Sequence, residues 1–185
     1  MKKKVIYSII IVSVIIILSV AVTYAVYTFS GVVNISGTSE CFDVNYVKGQ
    51  DIGSDSNPAK FVLANNYTEG LSSVIKVNLK DTCTITNGTG TLYLNTDTSV
   101  TSSTILSGKV LKYQVLDGTT PVGSGIVSSA ESIEIYKDIP ITTTVKTITV
   151  YIWLDGNLVT EQNQNEILSS VYKGHISMDI KSGDK

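Results

Sequence analysis

Apolar and polar positions alternate through most of this chain, a period of two that predicts strands rather than helices. The longest run covers 145–154. It puts Ile148, Val150, Ile152 and Leu154 on one face and Thr147, Thr149, Tyr151 and Trp153 on the other, so both faces are expected to be partly covered. Shorter runs share the period. Phe29, Val33 and Ile35 alternate with Ser30, Asn34 and Ser36 over 28–36, and Phe42, Val44 and Tyr46 are in phase over 41–47. A short strand is expected around Phe61 and Leu63. Ile75, Val77 and Leu79 come next, in a phase that continues through Cys83 and Ile85, followed by the pairs Leu92/Leu94, Leu111/Tyr113/Val115 and Ile133/Ile135. Tyr172, Ile176, Met178 and Ile180 close the series.

Turn chemistry divides these runs. Asn87-Gly88 lies between two of them and predicts a hairpin, since both residues tolerate positive φ. Asp117-Gly118 and Asp155-Gly156 end the runs before them, and Gly123 and Gly125 are expected to bracket a bend into Ile126. Pro140 predicts an edge or a break. Residues 49–60 and the Ser/Thr-rich 96–107 read as loops, and 157–170 is where a short helix is expected. Many short strands with glycine-marked turns predict an all-β protein, an antiparallel β-sandwich of about eight strands.

One stretch departs from the alternation. Residues 5–26 read VIYSIIIVSVIIILSVAVTYAV, follow Lys2, Lys3 and Lys4, and begin a run to Ser39 without a charged side chain. That length of apolar chain predicts an N-terminal hydrophobic membrane or signal helix, its lysines cytoplasmic and the remainder outside. Small-x-small cleavage sites occur at Ser19-Val20-Ala21 and Thr23-Tyr24-Ala25. The expected organisation is therefore a signal peptide or signal anchor over 1–25, cut after Ala25 or retained, and an extracellular domain over 26–185. A retained segment would hold the protein to the membrane through residues 5–26.

Composition narrows the functional classes. The 185 residues carry 14 basic and 16 acidic side chains, and setting Lys2 to Lys4 aside leaves 26–185 at net −5, with no arginine anywhere. Such a domain lacks the cationic footprint of a nucleic-acid binder and the bidentate clamp for phosphate. Cys41 and Cys83 are the two cysteines. In an exported chain they are expected to pair, the alternative being two separate buried thiols.

Candidate chemistry is sparse. His175, the single histidine, has the phase opposite to Ile176 and Met178 and reads as an exposed strand residue. No GxSxG or HExxH is present, and Ser73-Val74-Ile75-Lys76 matches S-x-x-K inside a strand pattern without the companion motifs. Asp51, Asp55 and Asn57 form a loop cluster of oxygen ligands that calcium could use, although their spacing is not that of an EF-hand; solvated loop acids are the alternative. Tyr151 and Trp153 are either an exposed aromatic binding patch or half-buried strand aromatics. No cofactor and no catalytic constellation are expected.

TYAVYTFSGVVNISGT at 23–38, YIWLDGN at 151–157 and VYKGHISMDI at 171–180 resemble the camelysin/TasA-type exported proteins of Gram-positive bacteria. The resemblance implies export, processing by a dedicated signal peptidase, a jelly-roll fold and assembly into biofilm-matrix fibres, in which one subunit's N-terminal strand completes its neighbour's sheet. Metalloprotease activity ascribed to camelysin-like members finds no matching zinc motif here. The expected function is thus a non-enzymatic surface or matrix protein, a homo-oligomer or fibre donating Phe29, Val33 and Ile35 on its N-terminal strand. The alternative is a tethered monomeric domain that binds a glycan, ion or protein through loops such as 49–60.

Overall fold

The computed structural model describes residues 26–31, 41–48, 59–60, 63–99, 101–129, 132–170 and 172–182. In chain order its strands are β1 (Val26–Gly31), β2 (Phe42–Lys48), β3 (Ala59–Lys60), β4 (Leu63–Ala64), β5 (Leu71–Leu79), β6 (Gly88–Thr96), β7 (Leu111–Asp117), β8 (Thr120–Ile126), β9 (Ser132–Ile141), β10 (Lys146–Asp155) and β11 (Tyr172–Ser182). Two short helices, α1 (Ser103–Ser107) and α2 (Gln164–Leu168), interrupt them. The strands form two sheets, one ordered β3-β1-β11-β6-β9 and the other β2-β5-β10-β7-β8, with β4 added alongside β10. Pairing is antiparallel except between β1 and β11 and between β4 and β10.

Both sheets turn their apolar phase into one core. Ile75, Val77 and Leu79 of β5 meet Leu92 and Leu94 of β6, Ile148, Val150, Ile152 and Leu154 of β10, and Tyr172, Ile176, Met178 and Ile180 of β11, all almost wholly buried. Each such side chain contributes roughly 1.5–3 kcal/mol through removal from water, so the period-two pattern fixes which face of each strand turns inward. As its two apolar faces predict, β10 is central, and Trp153 on its outer face is only 9% exposed.

Several expectations change. Among the described residues no helix is long and apolar enough to cross a membrane. That corrects the membrane helix expected over 5–26: Val26, the end of that stretch, is instead the first residue of a strand and pairs with Lys60. Residues 1–25, with the cut expected after Ala25, lie outside the described residues. The Asn87-Gly88 hairpin is also corrected, because β5 and β6 belong to different sheets and the link between them crosses the core edge. Gly123 and Gly125 lie inside β8 rather than at a bend. The Ser/Thr-rich segment contains α1, whose Ile105 and Leu106 are buried and give a short helix an apolar side to dock.

Asp117-Gly118 does form a turn, with Gly118 at φ 61°, where glycine avoids a Cβ clash. It joins β7 to β8 as a tight hairpin, Asp117 opposite Thr120. Pro140 lies inside β9, an edge strand where its missing N–H is tolerated. The pairing of β9 with β6 shifts register between Gly90 and Leu92 and again between Leu92 and Tyr93. The extra residues fall on β9, where Asp138 takes φ 53°.

Candidate functional site

β1 occupies the place in the fold that bears most directly on the expected strand donation. It is inserted between β3 and β11, antiparallel to the first and parallel to the second, with Tyr27 opposite Tyr172, Phe29 opposite Gly174 and Gly31 opposite Ile176. A parallel strand cannot reach its partner through a tight turn. Here residues 32–171 separate the two strands. Of the expected donor residues, Phe29 falls on β1 at the described register, whereas Val33 and Ile35 lie outside the described residues.

β11 receives β1 as a rigid platform. Tyr172 is fully buried, its hydroxyl 3.1 Å from that of Thr96 on β6. Burial pushes its phenol up to about 12, the Thr96 hydrogen bond pulling the other way. On the outer face His175 sits opposite Asn95. The Asn95 amide donates to Ser177 Oγ at 2.8 Å and to the His175 carbonyl at 3.4 Å. His175 is therefore a half-buried strand residue in a polar row.

Cys41 and Cys83 are bonded, their Cα atoms 5.6 Å apart. The bridge ties the residue before β2 to the connection leaving β5, beside a hydrogen bond from Lys80 N to Cys41 O of 2.8 Å. The bridge closes the segment from Cys41 to Cys83, and β1 lies before that segment. Closing a loop of this length stabilises the fold by about 4 kcal/mol in the chain-entropy account.

The aromatic residues do not make an open platform. Tyr67 stands edge-on to Tyr151 with ring centroids 5.1 Å apart, and 6.4 Å from Trp153, so the chain covers its own indole. Beside it Lys112, in register with Trp153, donates to Asp155 Oδ2 at 2.5 Å. The Lys112 hydrogen bond, helped by the Asn157 backbone and side-chain N–H groups, holds the buried Asp155 carboxyl below the usual range despite its desolvation. A second charged cluster joins the sheets: Asp117 Oδ2 accepts from Lys146 Nζ at 2.7 Å and from the Tyr136 hydroxyl of β9 at 3.0 Å. Burial, reinforced by the Asp117 carboxylate, pushes the Tyr136 phenol up to about 12. This cluster borders a surface cleft of about 460 Å³ lined by Thr142, Thr144, Thr147 and Pro140.

Ser73 is buried within β5 while Lys76 is exposed. Three residues along a strand puts side chains on opposite faces, which separates the two members of S-x-x-K. Among the described residues no three His, Cys, Asp or Glu side chains gather as a metal site. Asp51, Asp55 and Asn57 lie outside the described residues. Sequence reading missed Tyr67 and the two Lys–Asp pairs, because the pairs depend on which strands lie side by side, and Tyr67 sits in a short 3-10 turn (Tyr67–Glu69) whose neighbours spacing along the chain does not reveal.

No protein-family model and no curated protein matches this chain. Among solved structures it is similar to an acetyl xylan esterase (Est2A) from the rumen bacterium Butyrivibrio proteoclasticus, at 14% identity and a TM-score of 0.29, over 59% of this chain and 26% of that one. The match thus spans about a quarter of the esterase, and at that likeness it carries no argument about fold or activity.

Proposed function

We propose that this protein is an exported surface or biofilm-matrix structural protein of the camelysin/TasA type, which self-associates when β1 of one copy occupies the place between β3 and β11 of the next. The observation that carries the reading is the position of β1. It is an N-terminal strand paired in parallel to the last strand of the chain and lying outside the segment closed by the disulfide. Backbone hydrogen bonds to both neighbours would give such a donated strand its affinity, and the register opposite Tyr172 to Ile176 its specificity. Most successive strands change sheets, the β4–β5 and β7–β8 steps excepted, and that back-and-forth supports a jelly-roll-like sandwich. The disulfide supports residence in an oxidising compartment.

The test compares a protein beginning at Val26 with one beginning at Cys41. The first forms fibres visible by electron microscopy and the second stays monomeric. Equal behaviour of the two overturns the reading.

A further inference from the structure

At one end of the sandwich the turn between β7 and β8 stands beside the loop that carries the chain from β9 in one sheet to β10 in the other. The cleft of about 460 Å³ lies there, and its lining is drawn wholly from the described residues. That volume falls in the lower part of the roughly 300–1,000 Å³ range of small-molecule sites. Backbone hydrogen bonds fix the walls. Gly118 N donates to Thr147 O at 2.8 Å, Leu79 N to Thr142 O at 2.7 Å, and Thr144 N to Thr142 Oγ1 at 3.3 Å. Walls held in this way lose little freedom when a ligand enters.

Two charged side chains line the cleft, and they neutralise each other. Lys146 Nζ lies 2.7 Å from Asp117 Oδ2, the side chains being 20% and 23% exposed. The Tyr136 hydroxyl donates to the same oxygen at 3.0 Å. Both bonds end on Oδ2, so among the described residues nothing donates to Asp117 Oδ1, and Lys146 has two further N–H groups to offer. The hydroxyls of Thr144 and Thr147 bond to no other described residue. An anion in the cleft would be set against Asp117, and a cation against Lys146. Neutral hydroxyl groups, which donate and accept alike, match the set in both directions. Pro140 and Val145, the latter 54% exposed, add apolar surface that the C–H face of a sugar ring can cover.

We propose that this cleft binds a neutral saccharide of one or two rings. Asp117 Oδ1 accepts from one ring hydroxyl, Lys146 donates to a neighbouring one, and the Thr144 and Thr147 hydroxyls orient the ring. The site is independent of β1 donation, since none of its residues belongs to β1, β3 or β11.

Saturation-transfer NMR on the full-length protein reads binding in single copies and in fibres alike. The probes are D-glucose, D-galactose and cellobiose, with D-glucuronate and D-glucosamine as charged counterparts of glucose. At least one neutral sugar binds with a Kd on the order of 1–10 mM, no aromatic side chain being among the lining residues to tighten it. Both charged sugars bind about fivefold or more weakly than the tightest neutral one, each meeting a like charge. Thr144→Val and Thr147→Val leave the ion pair alone and weaken binding about fivefold each, and Asp117→Asn about tenfold. Asp117 also holds Lys146 and Tyr136, so the exposed Thr144 is the decisive position. Three results overturn the proposal: no saturation of any neutral sugar, threonine variants that bind as the parent does, or a charged sugar bound as tightly as the neutral ones. Fibres that bind none of the sugars sink this site and leave β1 donation standing. Sugar binding that responds to Thr144→Val, in a protein that forms no fibres, does the reverse.

Discussion

Asp155 illustrates how a single side chain sets a pH limit on the fold. Its carboxyl is held below the usual range by Lys112 and Asn157. A depressed folded value means that its contribution is present above the ordinary carboxylate range and is lost as pH falls through the folded value. Urea midpoints measured from pH 7 to pH 2 are expected to fall at the acid end, and Asp155→Asn to flatten that limb while lowering the midpoint at pH 7. Tyr172 sets the opposite limit. Its phenol is raised to about 12 by burial, so its contribution is intact below the ordinary value of about 10 and disappears as pH rises from there toward 12. Tyr172→Phe is expected to make the alkaline limb shallower and, through the lost bond to Thr96, to cost about 1 kcal/mol at pH 7. Gly123 is constrained by space. Gly123→Ala drives a methyl group into the Ile135 carbonyl, and a loss of about 1–3 kcal/mol in thermal unfolding is expected as β8 is pushed away from β9.

At the scale of elements, β10 and the disulfide carry most of the consequence. Ile148 is fully buried in the central strand, and Ile148→Ala is expected to cost about 2–5 kcal/mol in chemical denaturation. Replacing both Cys41 and Cys83 by serine is expected to lower stability by about 2–4 kcal/mol in the same assay. The faces of β5, β6, β10 and β11 were legible in the sequence, because a half-buried strand writes its inward side as every second residue. Neighbours were not. Asn87-Gly88 has the chemistry of a hairpin, yet the strands on either side join different sheets, and local turn preference yielded to the burial of two apolar faces against each other. The Lys112–Asp155 pair and the Asp117, Lys146 and Tyr136 cluster were invisible for the same reason: nothing along the chain announces which strands will lie side by side. The Ser/Thr-rich segment hid α1, since two apolar residues, Ile105 and Leu106, are too few to show a helical period.

For the whole molecule, the pairing of β1 with β11 joins the first described strand to the last. Contacts between such distant parts of a chain form late, because the entropy of closing the intervening loop must be overcome before they are rewarded. A chain emerging N-terminus first from the machinery that makes or exports it therefore presents β1 long before Tyr172 to Ile176 exist to receive it. On the proposed donation of β1, that interval is when a finished neighbour whose own place for the strand is open would take it up. Under that proposal timing as well as affinity would decide whether copies stay single or join: slow emergence and crowded neighbours would favour joining, and refolding from dilute denaturant a strand folded back on its own sheet.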